Sequence, residues 1–82
     1  MIKNLVTKLE NIVRLANSLI GLLNNYSMIK EGKINVNNPV TNEMVELTVP
    51  EEKITQIKSE IKDVASQLKN EINLLIKEQE TI

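Results

Sequence analysis

The side chains of this sequence that could do chemistry are mainly carboxylates. Three pairs lie in the C-terminal half: Glu51 and Glu52, Glu60 and Asp63, and Glu78 and Glu80. General acid catalysis by such a pair requires one buried carboxyl group with a raised pKa. These pairs instead lie among lysines in a predicted helix, as on a solvated helix surface. The chain has no histidine or cysteine, so the sequence predicts a non-enzymatic protein without metal or other cofactor.

The charge pattern argues against nucleic acid and membranes as partners. Ten basic and eleven acidic residues give a net charge of −1, and Tyr26 is the only aromatic residue. A nucleic-acid surface normally shows a one-signed basic stripe with aromatic side chains for stacking. The densest apolar run, residues 19–23, is far shorter than the ~20 residues that span a bilayer. With no cysteine and no export signal, we expect a cytoplasmic protein.

The polar candidates for binding lie in the middle of the chain. Tyr26 could close a helix end or offer a ring for stacking, near Lys30 and Lys33. An Asn-rich segment follows, with Asn35, Asn37, Asn38, Thr41 and Asn42. Asparagine in a turn often bonds only to its own backbone, whereas a polar recognition loop is the functional alternative.

Residues 2–31 are predicted to form a helix that Gly32 ends. Apolar residues recur at alternating spacings of three and four, as in a coiled-coil seam: Ile2, Leu5, Leu9, Ile12, Ala16, Leu19, Leu23 and Tyr26.

Apolar residues also flank this predicted seam: Val6, Val13, Leu15, Ile20 and Leu22. The apolar face is therefore wider than one partner helix can cover. A hairpin could cover only the end near Leu22, Leu23 and Tyr26. We therefore expect Val6, Val13 and Leu15 to stay uncovered within the chain, and the five flanking residues to form an interface in an even-numbered homo-oligomer.

Residues 33–49 change to a period of two and predict a β-hairpin with one apolar face: Ile34, Val36, Val45, Leu47 and Val49. Pairing Val36 with Leu47 would leave Thr41 and Asn42 as a tight turn. If this face is buried, Val36→Asp should cost about 2–3 kcal/mol.

Residues 49–80 predict a second helix, with a capping motif at Thr48 and Pro50 in the first turn. Its apolar stripe is Ile54, Ile57, Ile61, Val64 and Leu68. Glu71 then interrupts the heptad pattern, which predicts a stutter that moves the stripe to Ile72, Leu75 and Ile76.

The fold class expected is mainly α: one helix–β-hairpin–helix domain over residues 1–82, an antiparallel, coiled-coil-like pair of helices assembling into a helical-bundle homo-oligomer. The plan resembles that of the smaller prefoldin subunits in architecture, with much shorter helices. We expect an adaptor that binds itself and a partner protein, the latter through its hairpin end. The alternative is sequestration of a small nucleotide-like anion between subunits, in the manner of a small phage accessory protein, using Tyr26, Lys30, Lys33 and the Asn-rich turn.

Overall fold

The computed structural model describes residues 2–82. Two long helices enclose one antiparallel hairpin in the order α1 (Ile2–Ile29), β1 (Lys33–Asn37), β2 (Met44–Thr48) and α2 (Glu51–Gln79). The helices run antiparallel, since Lys8 near the start of α1 contacts Glu78 near the end of α2. The predicted helix–hairpin–helix plan is confirmed. Each helix is slightly shorter than expected, because α1 ends at Ile29 and α2 begins at Glu51.

Gly32 ends α1 as the sequence predicts. Its φ is +77°, in the left-handed region that glycine adopts without a Cβ penalty. The amide of Gly32 donates to the carbonyl of Ile29 at 2.8 Å, and the amide of Lys30 donates to that of Tyr26 at 2.9 Å. Two carbonyl groups of the last turn are thereby satisfied, and the chain turns into β1.

The start of α2 differs from the predicted capping motif. Pro50 is the N-cap residue, with no side-chain capping bond, and Thr48 is the last residue of β2. The Pro50 carbonyl accepts from the amide of Lys53 at 3.0 Å. Glu51 and Glu52 lie in the first turn, where the helix dipole favours negative charge.

The hairpin register is displaced by two residues from the one expected. Val36 pairs with Val45 and Ile34 with Leu47, which keeps the predicted apolar residues on one face. The connection is the longer segment 38–43, with Pro39 inside it, so the predicted tight turn is wrong. At the base, the amide of Val49 donates to the carbonyl of Gly32 at 2.8 Å.

One row of each helix faces the other, and we call these two rows the seam. On α1 the seam is Leu5, Lys8, Ile12, Leu15, Leu19, Leu22, Tyr26 and Ile29. On α2 it is Ile54, Ile57, Ile61, Val64, Leu68, Glu71, Leu75 and Glu78, which are all the residues of that helix that are not exposed. Both rows repeat at alternating spacings of three and four, as in a coiled coil.

Half of the predicted α1 seam is wrong. Leu5, Ile12, Leu19 and Tyr26 lie on the seam as expected, but Leu9 and Leu23 are exposed. Their places are taken by Leu15, only 5% exposed, and by the half-buried Leu22. The physical reason is the width of the apolar face: it holds two rows, and α2 can cover only one of them.

The predicted stutter in α2 is also wrong. The seam continues through Glu71, Leu75 and Glu78, whereas Ile72 and Ile76 are exposed. A regular helix turns by the same angle at every residue, so burial follows its geometry even where the sequence places a glutamate.

The two helices form a single layer. The molecule measures 61 × 24 × 12 Å with a radius of gyration of 18.5 Å, whereas a compact chain of this length has about 12 Å. Among the described residues, the buried apolar core consists of Leu5, Leu15 and Ile57. Globular domains generally have at least two packed layers, so much of this chain's apolar surface has no cover within the chain.

Candidate interaction surfaces

A second complete heptad row runs along the outside of α1. We call it the outer row, and its members are Ile2, Val6, Leu9, Val13, Ala16, Ile20 and Leu23. All but Ala16 are exposed, and Val13 is 58% exposed. Their spacings are four and three in strict alternation, the pattern of residues that pack against another helix. The outer row is therefore built like a seam but has no helix against it within the described chain.

Residues of α2 extend this surface on the same side. In an antiparallel pair of helices, the residue that follows each seam residue lies beside the seam. These residues lie on the same side of the pair in both helices. On α1 these positions hold the outer row, and on α2 they include Ala65, Ile72 and Ile76. We call the outer row together with Ala65, Ile72 and Ile76 the apolar face. Three of the other α2 positions on this side are lysines, namely Lys58, Lys62 and Lys69. The opposite flank of α1 is polar, with Asn4, Asn11, Ser18 and Asn25.

The structure divides the five predicted interface residues into two groups. Val6, Val13 and Ile20 are exposed on the apolar face, where they stay predicted contacts of another subunit. Leu15 and Leu22 lie on the seam against α2, so the expectation that Leu15 stays uncovered within the chain is wrong. The sequence shows both rows, and only the position of α2 distinguishes them.

The hairpin projects beyond the helices. A helix of 28 residues is roughly 42 Å long, so the 61 Å length leaves about one strand length for the hairpin. Most of its apolar face remains uncovered by the rest of the described chain, as Val36, Val45 and Leu47 are exposed, whereas Ile34 and Val49 are half-buried. The burial assumed for Val36 is therefore wrong, and the large stability cost expected for Val36→Asp no longer follows.

The Asn-rich turn satisfies many of its own hydrogen bonds. The Asn38 side-chain oxygen accepts from the amide of Val40 at 2.9 Å. The amide of Asn38 donates to the carbonyl of Glu43, and that of Asn42 to the carbonyl of Asn38. Asn42 has a φ of +57°, which asparagine tolerates better than most residues. These bonds fit the local, structural interpretation of the asparagines.

Two of the other predicted binding residues, Tyr26 and Lys33, contact neighbouring side chains. Tyr26 is half-buried on the seam, with the Lys58 Nζ atom 5.8 Å from its ring centroid, within the range of a cation–π contact. Lys33 forms a surface ion pair with Glu46 at 3.4 Å. Lys30 is exposed at the end of α1, and Asn35 and Thr41 are exposed on the hairpin.

The predicted binding residues do not converge on one pocket. The Asn-rich turn begins one strand length, roughly 15 Å, beyond Lys33, and Tyr26 lies further back on α1. Two open depressions of about 520 and 540 Å³ are lined by side chains of α2 and by Glu80, which follows it. Neither depression is lined by any of the predicted binding residues.

The predicted carboxylate pairs lie on the helix surface, apart from Glu78. Glu51, Glu52, Glu60 and Asp63 are exposed, whereas Glu78 pairs with Lys8. Over residues 2–82, no cluster of three or more acidic residues is placed to hold a metal ion. Within the same range, neither helix is long and apolar enough to cross a membrane.

Sequence reasoning missed three features of these surfaces. Lys58 covers Tyr26, and Met44 and Val40 add exposed apolar side chains at the hairpin end. Met44 breaks the period-two pattern and Val40 lies in the turn, so periodicity could not reveal either. Comparison of the chain with protein-family models, curated proteins and solved structures finds no match.

Proposed function

We infer that this protein is a non-enzymatic, cytoplasmic interaction protein that associates with itself through α1 and binds a partner protein through its hairpin end. The hairpin end comprises residues 33–49. The observation that carries the proposal is the placement of two uncovered apolar surfaces on different elements. One is the apolar face of the helices, and the other is the apolar face of the hairpin.

The hairpin end has the features of a protein-docking surface. Val36, Val45 and Leu47 form an exposed apolar patch on a sheet of two strands. Each strand therefore has one edge free of backbone partners within the sheet, and such an edge can pair with a strand of another protein. An extended apolar patch beside a free edge suits a polypeptide better than a small anion.

Native affinity purification of tagged protein from its host, followed by mass spectrometry, tests this assignment with two matched variants. Val36→Asp places a charge on the apolar face of the hairpin, and Asn35→Asp places the same side chain on the opposite face. We expect Val36→Asp to lose a partner that Asn35→Asp retains. Equal recovery of the partner protein with both variants would exclude the apolar face of the hairpin as the docking surface.

The same purification distinguishes the alternative of sequestering an anion. A small molecule that co-purifies with the protein, and is lost on Lys33→Glu, would favour a ligand between subunits. Thr41→Ala is a suitable variant for the turn, because Thr41 is exposed. Asn38→Ala is less informative, because the Asn38 side chain also holds the turn together.

A further inference from the structure

We propose that the apolar face is occupied by a second copy of this chain in an antiparallel arrangement, with α1 packed on α1 and Val13 beside the twofold axis. This inference rests on the proposed self-association and specifies its geometry. The hairpin ends of the two copies would then lie at opposite ends of the dimer.

The surface area of the chain agrees with a dimer of this kind. The chain exposes 6465 Å², whereas a compact protein of 9.3 kDa exposes roughly 5,000 Å². The difference of about 1,500 Å² for each chain matches the large interfaces of obligate homodimers.

The outer row is complementary to itself when it is reversed. Its seven positions are spaced 4-3-4-3-4-3, and the reversed row is spaced 3-4-3-4-3-4, so the two rows match in six layers when one is displaced by one position. Val13 then faces Leu9 or Ala16 of the partner subunit. In either alignment the twofold axis passes within one helical turn of Val13. A closed twofold contact requires this kind of self-complementary surface.

The charges beside the outer row favour the antiparallel arrangement over the parallel one. On α2, three of the positions on this side hold lysines: Lys58, Lys62 and Lys69. A parallel bundle with α1 against α2 of the partner subunit would place Ile20 and Leu23 against the lysines of that helix. In the antiparallel arrangement, Lys62 approaches Glu80 of the partner subunit, just after the end of α2. Opposite charges across an interface favour that orientation.

Cysteine cross-linking tests the arrangement directly, because the natural chain has no cysteine. We would prepare Val6→Cys, Val13→Cys and Ile20→Cys, with Asn17→Cys on the polar surface as the matched control. Each variant is treated with an oxidant or a short bis-maleimide in dilute solution. We expect Val13→Cys to form a covalent dimer alone, and Val6→Cys and Ile20→Cys to do so only when mixed.

Two outcomes would overturn the proposal. Covalent dimers of Val6→Cys and Ile20→Cys alone, as readily as of Val13→Cys, would show that the two α1 helices are parallel, and a dimer mass without cross-linking of any of the three would place α1 against α2 of the partner subunit. Cross-linking of all three no better than that of Asn17→Cys, together with a 9.3 kDa mass in light scattering, would show a monomer. Neither outcome bears on partner capture by the hairpin, so the two proposals fail separately.

Small-angle scattering gives an independent measurement on the unmodified protein. In the antiparallel dimer the two hairpin turns lie roughly 80 Å apart, so the maximum dimension must exceed the 61 Å length of one chain. A dimer with a maximum dimension near that of one chain would contradict the antiparallel arrangement. The expected geometry presents two docking surfaces that face away from each other, which suits a protein that bridges two partner molecules.

Discussion

Lys8 and Glu78 form an ion pair of 3.1 Å across the seam, and their side chains are only 26% and 22% exposed. Both residues occupy seam positions that are otherwise mainly aliphatic. A polar pair at such a position can define the register of two helices, usually at some cost in stability. This pair joins the first turns of α1 to the last turns of α2 and so supports the antiparallel alignment.

We expect removal of either partner of this ion pair to destabilise the protein modestly. Lys8→Ala or Glu78→Ala should lower the free energy of unfolding by about 1 kcal/mol, because water still reaches both side chains. The charge-reversed double variant, Lys8→Glu with Glu78→Lys, should recover part of the loss. A double-mutant cycle by urea denaturation measures the coupling, and a coupling of zero would mean that the pair does not stabilise the alignment.

The glutamate at seam position 71 offers a stabilising substitution. Glu71 is half-buried between Leu68 and Leu75 on the seam, so Glu71→Leu should raise the free energy of unfolding by about 1 kcal/mol. The control is Glu60→Leu, the same change at an exposed position, which should have a much smaller effect. Equal melting temperatures for the two variants would contradict the continuous seam and favour a stutter at this position.

The two glycines should respond in opposite directions to the same substitution. Gly21 lies in the interior of α1 with open space where an alanine methyl group would lie, so Gly21→Ala should stabilise by about 0.5–1 kcal/mol. Gly32 also has open space but a φ of +77°, so Gly32→Ala should destabilise by about 1 kcal/mol through backbone strain alone. Thermal denaturation of both variants tests the sign. Stabilisation by Gly32→Ala would show that the helix end can adopt a different backbone conformation.

The hairpin variant used for partner capture should remain folded. Val36 is 43% exposed, so Val36→Asp should cost less than about 1 kcal/mol in the isolated protein. Far-UV circular dichroism and hydrogen exchange of the hairpin amides would check this, with Asn35→Asp as the reference. Loss of amide protection in Val36→Asp alone would indicate that another subunit covers this face in solution.

Some features of the fold depend on short stretches of sequence, and these were predictable. The change from a period near 3.6 to a period of two between Tyr26 and Ile34 predicts a helix followed by a strand. Gly32 predicts the end of α1, and the carboxylates after Pro50 predict the start of α2 to within two residues. Each of these signals acts through local backbone geometry or the helix dipole. None of them therefore depends on which helix or strand packs against the segment.

Only the tertiary structure decided which apolar row of α1 faces α2. Leu15 is buried and Val13 is exposed, although both are branched aliphatic residues on one wide apolar face. The choice depends on the rotation of the whole helix against the seam of α2, which is a long-range property. The hairpin register likewise depends on how the six-residue connection folds, with its internal bonds at Asn38 and Asn42. Residue periodicity specifies which faces are apolar, whereas packing between distant segments determines which of those faces is covered.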